Sequence, residues 1–153
     1  IQMSEVEALG KRSRSSQPIW VAEDSILLSR MIQEALNKAG YTNLRMFSNG
    51  AELWEAVQEW NGAEDQAEHV ALIITDLEMP QMDGHRLTKL LKSTDGLKQI
   101  PVIIFSSLIT EEMYIKGKQL GADEQLSKPE IGHLIGVIDH LLARSGAGKG
   151  TRT

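Results

Sequence analysis

Residues 70–84, VALIITDLEMPQMDG, hold the pattern from which the rest of the chain can be interpreted. The apolar run 70–74 has no polar residue and is followed at once by a polar edge that contains Asp76. A short run of this kind is typical of a strand buried on both faces of a parallel sheet. Met79 and Pro80 end the extended segment, and Gly84 allows a tight entry into a helix. The stretch therefore predicts a central strand, a rigid loop and a helix.

Short apolar runs alternate with helical patterns on both sides of this stretch. The other four runs are Ile19–Ala22, Leu44–Phe47, 101–105 and a weak one at 125–126. Apolar residues at helical spacing lie in 28–39, 49–60, 87–91 and 131–142, and we expect a further, poorly patterned helix over Glu111–Leu120, which contains Gly117. Parallel strands need crossover connections, and these are right-handed. We therefore predict an α/β fold, a doubly wound parallel sheet of five strands, with the first, third and fourth strands at its centre.

Composition limits the kinds of protein that this chain can be. Its 153 residues fit one domain of common size, and its net charge of -5 offers no basic surface for nucleic acid, so we expect no nucleic-acid partner. The chain contains no cysteine, which excludes a disulfide framework and a cysteine-ligated zinc site. No apolar run reaches the length of a membrane span, so we expect no membrane insertion and a cytoplasmic location.

We divide the chain into three segments. Residues 1–17 are polar and lack an apolar period, so we interpret them as a linker from a missing upstream domain. Residues 18–143 form the predicted domain. Residues 144–153 are rich in glycine and basic residues, which is typical of a flexible tail.

Polar residues follow four of the five predicted strands. Strand one ends at Glu23 and Asp24, strand three at Asp76, strand four at Ser106 and strand five at Lys128. In an open parallel sheet these carboxyl ends meet at one edge, where ligands bind. Unit charges 4 Å apart interact by about 4 kcal/mol at an effective dielectric constant near 20, so converging carboxylates need a cation. We predict Mg²⁺, which prefers oxygen ligands and, together with the lysine, would balance three negative charges.

On these residues the chain resembles the receiver domains of two-component response regulators. The resemblance covers residues 18–143 and implies a flavodoxin-like strand order of 2-1-3-4-5. The matching motifs, in the order of the family, are VAEDS (21–25), TDLEMPQMDG (75–84), PVIIFSS (101–107) and KP (128–129).

The resemblance implies a role for each residue of the edge. Asp76 would accept a phosphoryl group from a histidine kinase, and Ser106 and Lys128 would contact that group. Asp76 would share Mg²⁺ with Glu23, Asp24 and the backbone carbonyl of Glu78. The resemblance also implies a cis peptide bond before Pro129. We accordingly expect a phosphorylation-dependent switch that assists its own phosphoryl transfer and hydrolysis, not an enzyme.

Two positions depart from the receiver pattern. Many receivers have an aromatic residue three positions before the lysine, whereas this chain has Gln125. Leu108 stands where some relatives that hydrolyse their aspartyl phosphate quickly have a polar residue, which favours slow self-dephosphorylation.

We expect the output surface on the helix Glu111–Leu120. We also expect the four histidines to lie on the surface, since they lack metal-ligand spacing.

The segments 106–109, 121–123 and 128–132 are similar to the receiver half of CheV-type chemotaxis proteins, in which a coupling domain precedes the receiver. This similarity implies a role in chemotaxis and, through the missing domain, contact with chemoreceptor arrays or coupling proteins. A stand-alone or transcriptional receiver is an alternative. A phosphohydrolase with an aspartyl-phosphate intermediate is a weaker one, because Glu78 has the spacing of a second carboxylate but wrong flanking residues. A pure interaction module with a vestigial site is a third.

Overall fold

The structure, a computed structural model, describes residues 14–152, without the side chains of Pro129 and residues 145–152. Five strands form one parallel sheet in the order β2-β1-β3-β4-β5, as predicted. The strands are β1 (Ile19–Ala22), β2 (Leu44–Phe47), β3 (Leu72–Thr75), β4 (Val102–Ser106) and β5 (Glu124–Ser127). The helices are α1 (Ile26–Lys38), α2 (Gly50–Val57), α3 (Gln66–His69), α4 (Gly84–Lys92), α5 (Glu111–Leu120) and α6 (Ile131–Arg152). Two 3₁₀ turns, Gln58–Trp60 and Lys128–Glu130, complete the chain order.

The central strands are the ones that the apolar runs predicted. Every residue of β1, β3 and β4 is buried, whereas β2 and β5 at the edges are partly exposed. Successive side chains of a strand point to opposite faces, so each central strand supplies two cores. Leu36 and Leu134 pack with one face of the sheet, and Leu53 and Leu87 pack with the other. The molecule is therefore a three-layer α/β sandwich.

Local sequence signals set where the helices begin and end. The side chains of Ser25, Asn49, Asp83 and Thr110 each accept a hydrogen bond from a backbone N–H of the first helical turn, which caps four helices. At the other end of α5, Gly121 has a φ of 100°, a conformation that favours glycine. These caps place the start of α1 and of α4 next to the carboxyl ends of β1 and β3.

The segment between α2 and β3 contains structure that its sequence pattern did not predict. A 3₁₀ turn replaces the last residues of the helix predicted over 49–60, and the four-residue α3, which has no apolar period, follows it. The buried amide of Gln66 holds them by donating to the backbone oxygens of Trp60 and Gly96, at 2.8 and 2.6 Å. These partners are distant in sequence, so only the folded chain brings them together.

The two ends of the predicted domain also differ from simple expectation. Most of the expected linker, residues 1–13, lies outside the described residues. Arg14 forms a two-contact ion pair with Asp139 of α6, at 3.2 and 2.7 Å, and donates to the carbonyl of Ala39. Contacts with the domain thus begin before residue 18. Helix α6 continues to Arg152 through the expected tail, whose side chains after Arg144 are not described, so the flexible tail stays a prediction.

Within residues 14–152, none of the helices combines the length and the apolar content that a bilayer span would require.

The loop between β3 and α4 closes on Gly84. Its N–H donates to the carbonyl of Leu77 at 2.9 Å, and a Cβ atom at this position would lie 2.1 Å from the backbone oxygen of Asp76. Contacts this short cannot be accommodated unless the backbone moves. Gly84 is therefore required for the position of the Asp76 loop.

We expect Gly84→Ala to lower the free energy of unfolding by about 3 kcal/mol, as overpacking against backbone does. Urea denaturation monitored by circular dichroism measures this. Gly136→Ala is the matched control, because its Cβ would meet nothing within 4 Å, and it should stabilise α6 by about 1 kcal/mol. Equal effects of the two substitutions would show that the loop is not closely packed around Gly84.

Candidate functional site

Three carboxylates meet at the carboxyl edge of the sheet, as the strand ends predicted. Glu23 and Asp24 follow β1, and Asp76 follows β3, the neighbouring strand. One oxygen from each lies within 4.8 Å of the other two. Glu23 and Asp76 are 3% and 7% exposed, whereas Asp24 is exposed to solvent. The cluster thus has a buried floor and one accessible carboxylate.

Lys128 reaches this cluster from the end of β5. Its Nζ lies 2.6 Å from Oε1 of Glu23 and 3.1 Å from Oδ2 of Asp76, and its side chain is only 9% exposed. One ammonium therefore bridges the two buried carboxylates. The charge of the four side chains is still negative, because three carboxylates face a single lysine.

Backbone N–H groups hold the remaining oxygens of the buried carboxylates. The N–H of Leu77 donates to Oδ1 of Asp76 at 2.8 Å, and the N–H of Ser25 donates to Oε2 of Glu23 at 3.1 Å. These contacts fix the direction in which each carboxylate points. Sequence reasoning missed both donors, because backbone groups carry no signal in the residue pattern.

The electrostatic environment of Glu23 reflects its burial. Loss of solvent raises the pKa of Glu23 above its usual value, and the nearby Asp76 raises it further, while Lys128 and the N–H of Ser25 oppose the shift. Oε1 of Glu23 is buried, and its close polar contact is the ammonium of Lys128 at 2.6 Å.

The donor set fits a hard divalent cation. It consists of oxygens from three carboxylates, and one lysine ammonium leaves the net charge of the cluster negative. Mg²⁺ and Mn²⁺ prefer such ligands, whereas zinc favours nitrogen and sulfur.

The other two predicted residues lie at the same edge. Ser106 ends β4, which pairs with β3 on one side and β5 on the other, and it is 3% exposed. Glu78 is exposed and lines a cavity of about 850 Å³ together with Asp24. The cavity runs from Asp24 along the start of α4 to α5. No cis peptide bond occurs in the part of the backbone that the structure describes, so the cis bond expected before Pro129 is not confirmed.

One further residue differs from its predicted setting. His85, expected on the surface, is half-buried, and its Nε2 lies 3.2 Å from the carbonyl oxygen of Met113 in α5. The sequence pattern of one helix does not show whether a neighbouring helix covers a given position.

We expect Lys128→Met to lower the free energy of unfolding at neutral pH by about 3 kcal/mol in buffer without divalent cations. The substitution leaves two buried carboxylates without their counter-charge, which is costly in a poorly hydrated site. Lys98→Met is the control, because this lysine is 59% exposed and pairs with the exposed Asp95, and it should change stability by less than about 0.5 kcal/mol. A loss for Lys128→Met no larger than the control would contradict the electrostatic role.

Comparison with known proteins agrees with this geometry. The family model described as "Response regulator receiver domain" matches residues 19–139. The chain is 33% identical over 130 residues to "Probable transcriptional regulator ycf29" of Pyropia yezoensis, covering 84% of the chain and 54% of that relative. It is 32% identical over 125 residues to "Chemotaxis protein CheV1" of Helicobacter pylori, covering 82% of the chain and 37% of that relative. The chain thus spans about half of these relatives or less.

Solved structures share the fold. The receiver domain of a signal transduction histidine kinase from Syntrophus aciditrophicus superposes with a TM-score of 0.71 at 28% identity, covering 83% of this chain and 90% of that chain. The Mn²⁺-bound form of response regulator Rcp1 gives a TM-score of 0.62 at 28% identity, covering 73% and 81%. Together with the match over residues 19–139, these similarities establish that the chain belongs to the response regulator receiver domain family.

Proposed function

We propose that Asp76 accepts a phosphoryl group and that this domain works as a phosphorylation-dependent switch. The observation that carries the proposal is the setting of the Asp76 carboxylate. One oxygen is held by the N–H of Leu77, and the other lies 3.1 Å from Nζ of Lys128. The carboxylate is in the same cluster as Asp24, which lines an accessible cavity. A positioned carboxylate beside a cation is what phosphoryl transfer to an acid requires.

Phosphoryl transfer to a carboxylate depends more on positioning and charge neutralisation by neighbouring groups than on a strong nucleophile. An oxygen of Asp76 attacks the phosphorus of a phosphohistidine, so that an O–P bond forms as the P–N bond breaks and the released imidazole takes up a proton. Lys128 offsets the negative charge that gathers on the phosphoryl oxygens. Ser106, one strand away, would donate its hydroxyl to one of them. The donor in this proposal is a histidine kinase, as in the family as a whole.

Glu23, Asp24, Asp76 and the backbone carbonyl of Glu78 would hold Mg²⁺. The negative donor set supports this, and a receiver of similar fold is known in a Mn²⁺-bound form. When bound, the ion would neutralise charge on the transferring phosphoryl group. The residues themselves supply the orientation: Ser25 and Leu77 aim two carboxylates, and Lys128 keeps them close together.

The switch would reverse by hydrolysis of the aspartyl phosphate. Leu108 is 62% exposed and has no group that could orient water, which supports slow self-dephosphorylation. A half-life of seconds for the purified phosphoprotein would contradict this point.

The chemotaxis setting is a further part of the proposal. Similarity to CheV1 favours a receiver that follows a coupling domain and acts at chemoreceptor arrays, but a transcriptional regulator is matched at comparable identity. A pull-down of the full-length protein with a coupling protein or chemoreceptor tests the first role. Loss of swimming bias in cells that carry Asp76→Asn would support it, and unchanged swimming would favour the transcriptional or stand-alone alternative.

We expect one phosphoryl group per chain after incubation with acetyl phosphate and MgCl₂, measured by intact-mass spectrometry. Asp76→Asn should incorporate none, because the amide is not a nucleophile. Asp83→Asn is the matched control, since this residue lies in the same loop and Asn caps α4 as well as Asp does. Labelling of Asp76→Asn to the wild-type level would remove Asp76 as the acceptor.

Continued release of phosphate from a small phosphate ester, instead of a single labelling event, would favour the phosphohydrolase alternative. Absence of any incorporation in the wild-type chain would favour an interaction module whose site is vestigial.

We expect MgCl₂ to raise the thermal unfolding midpoint of the wild-type chain. A ligand that binds only the folded state at one hundred times its Kd adds about 2.7 kcal/mol. Asp24→Asn should lose most of this increment and keep its stability without the ion, because Asp24 is exposed. Asp95→Asn, whose side chain is 98% exposed and lies outside the cluster, should retain the full increment. An equal increment in all three proteins would exclude the cluster as the binding site.

A further inference from the structure

The peptide unit between Asp76 and Leu77 directs the Asp76 carboxylate. Its N–H, which belongs to Leu77, donates to Oδ1 of Asp76 at 2.8 Å. Its carbonyl, which belongs to Asp76, points the opposite way, because a trans peptide unit is planar and its N–H and C=O lie on opposite sides. Whatever holds this carbonyl therefore also sets where the N–H points.

The sheet does not hold this peptide unit. The N–H of Asp76 still donates to the carbonyl of Ala22 at 3.0 Å, which extends the pairing of β3 with β1. The register of β3 with β1 and with β4 ends at Thr75, so the carbonyl of Asp76 lies beyond both ladders. Groups outside the ladders fix its position.

The hydroxyl of Thr75 is one of these groups. Oγ1 of Thr75 donates to the backbone oxygen of Asp76 at 2.9 Å, and the Thr75 side chain is fully buried. Solvent cannot readily take the place of a buried hydroxyl, and a buried carbonyl without a donor is unfavourable. This hydrogen bond therefore opposes rotation of the peptide unit.

Gly84 packs against the same carbonyl. A Cβ atom on Gly84 would lie 2.1 Å from the backbone oxygen of Asp76 and 3.0 Å from Cα of Leu77. The N–H of Gly84 donates to the carbonyl of Leu77, in the next peptide unit, at 2.9 Å. Glycine thus gives the Asp76 carbonyl its space, and the hydroxyl of Thr75 gives it a direction.

Packing alone does not account for threonine at position 75. The other members of β3 are the apolar Leu72, Ile73 and Ile74. Valine has nearly the same shape as threonine and suits a buried strand equally well. A buried hydroxyl is unfavourable unless it is hydrogen-bonded. The bond to the carbonyl of Asp76 is what distinguishes threonine from valine here.

We propose that Thr75 is a positioning residue for the carboxylate of Asp76. Its hydroxyl holds the peptide unit 76–77 so that the N–H of Leu77 engages Oδ1, which leaves Oδ2 directed at Nζ of Lys128. Thr75 acts through the backbone and does not contact the phosphoryl group. The first half of this inference concerns the geometry of the unphosphorylated chain. The second half, that this geometry speeds phosphoryl transfer, rests on the proposed function.

Amide hydrogen exchange followed by NMR on the isotope-labelled 153-residue chain tests the first half, without divalent cations or a phosphoryl donor. We expect Thr75→Val to accelerate exchange of the Leu77 N–H by about tenfold relative to amides of β1 and β3 in the same variant, because the peptide unit becomes free to rotate. Thr75→Ser keeps the hydroxyl, so its ratio should stay within about threefold of the wild-type ratio.

Thr88→Val is the matched control. Thr88 is also fully buried, and its hydroxyl donates to the carbonyl of Gly84 at 2.7 Å, one turn earlier in α4. This substitution removes a buried hydroxyl near the loop but none that contacts the peptide unit 76–77, so the Leu77 ratio should not change.

Three results would overturn the positioning role. The first is an unchanged Leu77 ratio in Thr75→Val. The second is an equal rise in Thr75→Val and Thr88→Val, since the loss of any nearby buried hydroxyl would then suffice. The third is a rise in Thr75→Ser as large as the rise in Thr75→Val, since the hydroxyl would then not be the cause.

The rate of phosphoryl uptake from acetyl phosphate and MgCl₂, followed by intact-mass spectrometry, tests the second half. We expect Thr75→Val to take up the group about tenfold more slowly, because its carboxylate is less often directed at the donor. Thr75→Ser and Thr88→Val should stay within about threefold of the wild-type rate.

The two halves can fail separately. A wild-type rate of uptake in Thr75→Val, together with faster Leu77 exchange, would overturn the effect on transfer and leave the geometry and the proposed function intact. If the wild-type chain takes up no phosphoryl group, the proposed function and the effect on transfer both fail, and the geometry is still judged on the exchange of Leu77.

Discussion

The excess negative charge at the carboxyl edge of the sheet is the constraint on which the rest of this structure depends. Glu23, Asp24 and Asp76 present oxygens within 4.8 Å of one another, and the ammonium of Lys128 contacts the two buried members. Such a cluster is unfavourable unless further positive charge arrives. The same imbalance that opposes folding would favour the binding of a divalent cation, which the proposed phosphoryl transfer requires.

The fold tolerates this charge because the surrounding elements are rigid. Fully buried central strands bring Glu23 and Asp76 to adjacent positions, and backbone N–H groups of Ser25 and Leu77 orient them. The loop that follows Asp76 closes on Gly84, with no room for a side chain. Because these groups are already in place, no free energy is needed to reorganise them during a reaction. This is the condition for electrostatic stabilisation of a transferring group.

Helix α5 differs from the rest of the domain in how it is held. Apolar side chains fix the other long helices to the sheet, but here Gln125 and His85 bind consecutive carbonyls and Gly117 provides the space. In place of the aromatic residue of many receivers, the chain thus has a buried amide. A polar contact depends on distance and angle more sharply than apolar packing does, so the position of α5 depends on where these two side chains lie.

Much of this protein could be predicted from its sequence. The apolar runs and the helical patterns indicated all five strands and the five longer helices, and the residues after the strands indicated Glu23, Asp24, Asp76, Ser106 and Lys128, because strand ends in a parallel sheet converge. The sequence could not indicate α3, the half-buried position of His85 or the pairing of Gln125 with Gly117. Periodicity along one segment reports which face is apolar, whereas these features depend on which distant backbone groups come within hydrogen-bond distance, and only the packed chain decides that.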